Sequence, residues 1–305
     1  MPLNKNQPNP TVRNIFLVIG LISIIALVVV AVKMSNTSDG NLVSPAIAVI
    51  PLKGEINIDT STEIIKNIKN ADKDITINAI IFEIDSPGGT VLASKEIATA
   101  VKNTRKPTVA WIREVGASGA YWAASATDMI VADQASITGS IGVTGSYLQY
   151  SGLMEKYGVT YERLVSGQYK DTGSEYKDLT SAERTYLQAK IDTINGMFID
   201  AISQNRNMPK ETVTKLATGE IFLGVEAKEK GLIDVLGQKA EAQKAAEELA
   251  GIKNSRLVEI GATKGFWELV SQQMQSVSYW IGKGIGDGLN PMAQQGDLVI
   301  KAELQ

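Results

Sequence analysis

From residue 47 onward the chain repeatedly follows a short apolar run with a helix-length amphipathic segment, and no other feature narrows the fold so far. Residues 47–56 read as a strand and 61–70 as a helix capped by Ser61 or Thr62. Residues 78–85 predict a second strand and 90–104 a helix. A third strand at 107–114, a short helix at 118–125, a fourth strand at 129–133 and a fifth at 159–165 continue the pattern. Such βα alternation implies a mainly parallel sheet covered by helices, whose strands are apolar throughout. Residues 180–204 predict a long helix, with Leu187, Ile191, Ile194, Phe198 and Ile202 at helical spacing as core positions. Short helices follow near 209–217 and 224–230, then a helix at 239–249 and a last strand at 256–260.

Ahead of this region, residues 15–32 (IFLVIGLISIIALVVVAV) carry no charge. At about 1.5 Å per residue the run spans about 27 Å, close to the hydrocarbon thickness of a bilayer. A cleavable signal peptide would have a shorter apolar stretch, about 7–15 residues, and no clear A-x-A site follows this one. Lys5 and Arg13 precede the run, while Lys33 and Asp39 follow it, so the amino terminus is expected in the cytoplasm and the rest outside. The division expected is a cytoplasmic segment 1–14, a single-pass anchor 15–33 in the cell membrane, a tether 34–45, an extracytoplasmic globular domain 46–250 and an extension 251–305. A stripe from Phe266 to Ile281 carries two tryptophans that suit a membrane interface, but packing against the domain or a neighbouring subunit is the plainer reading.

The 305 residues include neither cysteine nor histidine. Cysteine nucleophiles, disulfides and thiolate metal sites are excluded, as are a Ser-His-Asp triad and a His-ligated zinc. No cofactor or metal is implied. With a net charge of -3, nothing suggests a nucleic-acid partner. A hydrolase built on this chain needs Lys, Asp, Glu or the terminal amine as its base.

Two turns at the carboxyl ends of predicted strands stand out, because ligands of α/β sheets gather there. Asp85-Ser86-Pro87-Gly88-Gly89 leads straight into a helix, and paired glycines let backbone amides approach an oxyanion. An ordinary tight turn is the plainer reading. Gly116-Ala117-Ser118-Gly119-Ala120 leaves the Ser118 hydroxyl accessible between small residues, partly like a G-x-S-x-G elbow; a helix-capping serine is the alternative. Downstream lie Gly139-Ser140-Ile141-Gly142-Val143 and Ser166-Gly167-Gln168-Tyr169-Lys170-Asp171. A lysine shielded from water can act as a base, since desolvation disfavours its charged form. Ser174-Glu175-Tyr176-Lys177 fits S-x-x-K of penicillin-binding proteins, but neither S-D-N nor K-T-G accompanies it.

In this order the stretches FEIDSPGG, GASGAYWAAS, ITGSIGVTG, SGQYKD and GEIFLGVEAKEKGLIDVLG resemble the signal peptide peptidase A family. The resemblance covers most of residues 47–249 and implies a crotonase/Clp protease-like fold. It implies Ser118 as nucleophile, Lys170 as general base and Ser140 as the serine orienting that lysine, with the backbone amides of Gly88 and Gly119 as oxyanion hole. Ala120 departs from the family, where a second glycine is common. Implied substrates are hydrophobic peptides such as remnant signal peptides, cut at small residues. Short members of the family form rings whose serine and lysine come from neighbouring subunits, so a homo-oligomer with a shared dyad is expected. Three rivals share parts of this pattern. A crotonase-like acyl-CoA enzyme would have no need of Ser118 or Lys170, and a stomatin-linked membrane protease would share the dyad. An inactive scaffold would not retain both dyad residues.

Overall fold

The computed structural model describes residues 44–261. The expected anchor at 15–33 and the stripe from Phe266 to Ile281 lie outside the described residues. Among the described residues no helix is long and apolar enough to cross a membrane.

Among the described residues eight strands form one sheet. β1 (Ala46–Lys53), β2 (Ile77–Ser86) and β3 (Thr108–Ala117) make its centre, with β8 (Arg256–Glu259) outside β1, and all of these pair in parallel. Their side chains alternate between two buried faces, which explains their unbroken apolar character. Ile50, Leu52, Phe82, Ile84 and Ile112 face one way, beneath α1 (Ile58–Lys73), α2 (Val91–Lys102) and α3 (Gly119–Ser125). Ile47, Val49, Ile81, Val109 and Trp111 face the other way, onto Ala242, Ala245 and Ala246 of α8 (Lys239–Ala250). Each fully buried isoleucine contributes about 1.5–3 kcal/mol, and Ile50→Ala would cost about 2–5 kcal/mol.

The sheet divides at β3. The first half of β3 pairs with β4 (Met129–Ala132), and its last three residues pair with β5 (Ile137–Gly139). β4 also carries the short β7 (Val235–Leu236), while β5 takes β6 (Ile221–Leu223) antiparallel. This fork brings three chain segments together at the carboxyl end of β3. Ser86 of β2 is in register with Gly116, and Gly139 of β5 with Ala117.

Several sequence expectations need correction. α1 begins at Ile58 and is capped by Asn57, whose side-chain oxygen accepts from the N–H of Asp59 and Thr60; neither Ser61 nor Thr62 is the cap. Residues 159–165 form no strand, and the fifth strand is Ile137–Gly139. Val159, Tyr161, Leu164 and Val165 are residue types common in strands but are all exposed, with no neighbouring strand to pair with among the described residues. α5 (Ser181–Asn205) matches the predicted helix and is capped by Thr180, reinforced by Glu183 in a capping box. Only its carboxyl-terminal half is core: Phe198 and Ile202 are buried, whereas Leu187, Ile191 and Ile194 are half-buried beside a cavity of about 580 Å³. The connecting helices are α4 (Ser151–Lys156), α6 (Lys210–Leu216) and α7 (Gly224–Glu229).

Candidate active site

Ser118 occupies the single residue between β3 and α3, at φ 52° and ψ -123°. A non-glycine residue there costs on the order of 1–3 kcal/mol, so the surroundings must enforce it. They do so from both sides: Ser118 N–H donates to Gly139 O at 2.8 Å, and Ser118 O accepts from Trp122 N–H at 3.0 Å. α3 itself is fastened by Tyr121, whose hydroxyl donates to Leu232 O at 2.8 Å; complete burial pushes this phenol's pKa up. The Ser118 side chain makes no capping bond, so the helix-cap reading does not describe its role.

Gly88 presses against this turn. At φ 100°, a Cβ there would lie 2.7 Å from Gly119 N and 2.9 Å from Ser118 Cβ, so only glycine allows the approach. Its N–H donates to Ser86 Oγ at 3.1 Å and its carbonyl accepts from Ile56 N–H at 2.8 Å. The N–H groups of Gly89 and Gly119, by contrast, have no acceptor among the described residues, and a Cβ on Gly119 would stand 3.4 Å from Gly89 N. Of the two donors read from sequence, Gly119 is therefore free, while the free amide of the glycine pair is that of Gly89. Which of two adjacent glycines offers its amide depends on the Ser86 hydroxyl, and spacing alone does not reveal that.

Ser140 leaves β5 as Ser118 leaves β3, one residue beyond the Ala117–Gly139 pair. It too has positive φ, 50°, and its N–H donates to Glu220 O at 2.7 Å. Ser118 and Ser140 line one cavity of about 400 Å³. Asn195 of α5 lines it as well, and its buried Oδ1 has no donor among the described residues. A smaller pocket of about 100 Å³, also lined by Ser118, reaches Ser94, Val91 and the stacked rings of Trp122 and Phe198, 4.5 Å apart. Sequence reading missed Asn195, Ser94 and Trp122, which carry no motif and become neighbours only through the packing of α2, α3 and α5.

Lys170 does not join this group. It lies in a turn with its N–H on Gly167 O at 3.2 Å, is exposed, and lines neither cavity touched by Ser118. Lys177 of the S-x-x-K match is held by Glu183 at 2.5 Å and Asp171 at 3.7 Å, and so is committed to ion pairs. Among the described residues no cluster could hold a metal ion.

Comparison with known proteins identifies the family of the chain. The model of Peptidase family S49 matches residues 100–253, and that of the NfeD1b N-terminal domain matches residues 46–147. A Methanocaldococcus jannaschii protein named as a protease is 36% identical over 229 residues, which cover 74% of this chain and 72% of that one. A Synechocystis protein, also named as a protease, is 38% identical and is covered to 75%, with 68% of this chain. An Enterococcus faecium protein named as signal peptide peptidase SppA is 31% identical, over 76% of this chain and 66% of that protein. Among solved structures, a membrane-bound stomatin-specific protease bound to a substrate peptide superposes with a TM-score of 0.50 at 17% identity, covering 77% of this chain and all of that one; this likeness concerns the fold alone. The chain belongs to peptidase family S49, among relatives named signal peptide peptidase, and is a serine peptidase.

Proposed function

We propose that this serine peptidase is a membrane-anchored endopeptidase of crotonase/Clp-like fold that cleaves hydrophobic peptides, such as remnant signal peptides, with a Ser118–Lys170 dyad shared between neighbouring copies. The observation that carries the reading is the strained Ser118 turn, which sets an uncapped hydroxyl beside the free amides of Gly119 and Gly89. Neutral Lys170 takes the proton from Ser118 Oγ, and the oxygen attacks the peptide carbonyl. The developing oxyanion is received by the Gly119 and Gly89 amides. The proton passes to the leaving amine, and water then hydrolyses the acyl-enzyme. Ser140, which lines the same cavity as Ser118, orients the incoming lysine.

Sharing of the dyad is supported by where the two residues lie. The cavities at Ser118 are lined by no lysine, and Lys170 projects from the opposite kind of environment. Among the described residues, eleven of the 21 exposed large apolar and aromatic side chains fall between Tyr147 and Tyr176, around Lys170, which favours a protein contact there. The pocket beside the nucleophile is walled by Val91, Trp122, Phe198 and Val143 and suits small apolar side chains.

The test is to incubate the protein from about residue 45 onward with a mixture of synthetic signal peptides and map the cuts by mass spectrometry. Cuts within the apolar cores, absent from Ser118→Ala, are expected. Cleavage restricted to charged soluble peptides would refute the substrate class. Cleavage of a stomatin-type membrane protein alone would favour the dedicated-protease alternative.

A further inference from the structure

Residues 157–180, which carry Lys170, contain neither helix nor strand. A stretch of this kind, left to itself, samples many conformations. Here both chain neighbours of Lys170 are fixed. Tyr169 stacks on Tyr186 of α5, with ring centroids 4.9 Å apart and planes 19° apart. Asp171 receives both prongs of the Arg163 guanidinium, at 2.5 and 2.7 Å. Lys177 stands 3.7 Å from Asp171 and 2.5 Å from Glu183. Glu183 is buried in the first turn of α5, where it also accepts from Thr180 N–H at 3.0 Å and from the Thr172 hydroxyl at 3.3 Å. Lys170 sits between the two anchors, exposed and without a side-chain partner among the described residues.

Fixing the residues on both sides of a bare lysine holds its Cα while leaving its amine free to reach outward. We propose that Arg163, Asp171, Lys177 and Glu183, together with the Tyr169–Tyr186 stack, form a clamp that positions Lys170 for delivery to Ser118 of a neighbouring copy. The inference rests on the reading of Lys170 as general base and adds the residues that aim it. Two cations balance two carboxylates, so the clamp orders the backbone and leaves no unpaired charge. The Arg163 hydrogen bonds hold the Asp171 carboxyl down to about 2, and Lys177 with Thr180 holds Glu183 down to about 2. Both therefore stay ionised across the neutral range in which a peptidase with an amine base works.

The experiment uses the full chain and a synthetic signal peptide bearing a fluorophore and quencher. Arg163→Ala, Arg163→Lys, Glu183→Gln and Lys170→Ala are compared for kcat, KM, melting temperature and assembly size. Arg163→Ala is expected to lower kcat about tenfold or more, with KM within about twofold, because small misplacements of a catalytic group are costly. Its melting temperature and assembly size should match the wild type, and Arg163→Lys should recover part of kcat. Should Glu183→Gln fail to fold through loss of the α5 cap, Arg163→Ala decides alone. The clamp is overturned if Arg163→Ala keeps wild-type kcat, if KM rises while kcat holds, or if kcat falls only as the assembly dissociates. Lys170→Ala separates the two layers. Were it active, the dyad itself would fail; an inactive Lys170→Ala beside a fully active Arg163→Ala removes the clamp and leaves the dyad standing.

Discussion

Ser118 and Lys170 are held by different physics. Around Ser118 the backbone does the holding: three strand ends converge, glycines touch, and a strained turn is locked by hydrogen bonds to β5 and within α3. Around Lys170 side chains do it, through one arginine fork, one lysine bridge and one aromatic stack in an otherwise irregular stretch. The nucleophile needs a geometry fixed to fractions of an ångström. A base delivered across a contact between copies needs an anchored root and a free tip. The difference teaches that one half of the proposed site is built by the fold, whereas the other is held by side chains in an exposed stretch, as the proposed delivery to a neighbouring copy requires.

The most severe break of this comparison is removal of the reacting groups. Ser118→Ala and Lys170→Ala should each lower kcat by about a thousandfold or more, since members of one catalytic unit fail together. Circular dichroism and melting temperature should stay near wild type, because neither side chain supports the core. Substantial turnover by Ser118→Ala would end the serine mechanism for this site.

Identical substitutions in the two regions should then diverge. Gly88→Ala places a Cβ 2.7 Å from Gly119 N and 2.9 Å from Ser118 Cβ at φ 100°. Backbone must move there, so kcat should fall about a hundredfold, with a stability loss of about 1–3 kcal/mol. Gly167→Ala has a similar φ, 111°, but nothing lies within 4 Å of its Cβ. Three residues from Lys170, it should cost kcat about tenfold at most, since the open stretch can relax the strain. Equal effects at both positions, measured as kcat and denaturant midpoint, would erase the distinction between a built and a presented half.

A smaller effect separates the regions by pH. Asp171 and Glu183 fall from ordinary values of 3.8 and 4.5 to about 2 in the folded chain. A lowered carboxylate contributes stability above its ordinary pKa and loses it as pH drops toward the folded value. The clamp should thus be intact at neutral pH, weaken below about pH 4.5 and be gone near pH 2. Brief pepsin digestion at pH 3 should cut first within residues 157–180, ahead of the sheet. First cuts in β1 to β3 would contradict this.

The same contrast explains what could be read from the sequence. Strands β1 to β3 were legible because burial on both faces leaves continuous apolar runs, and α5 because Leu187, Ile191, Ile194, Phe198 and Ile202 recur at helical spacing. The turns at Ser118 and Gly88 were legible because only small residues tolerate that crowding. Residues 159–165 misled because β-branched and aromatic side chains look alike in a sequence whether they face a core or solvent. The free amide of Gly89, the orphaned Asn195 Oδ1 and the Arg163 fork depend on contacts between distant segments, for which a linear pattern holds no signal.

Subunit complementation tests the central claim, a dyad shared between copies, most directly. Inactive Ser118→Ala and inactive Lys170→Ala proteins are mixed under conditions where exchange is demonstrated by differential labelling, and peptide cleavage is followed. Contacts that pair an intact Ser118 from one copy with an intact Lys170 from the other should restore part of the activity. If the labelled copies exchange and cleavage stays at the background of either variant alone, Ser118 and Lys170 act within one subunit and the claim is wrong.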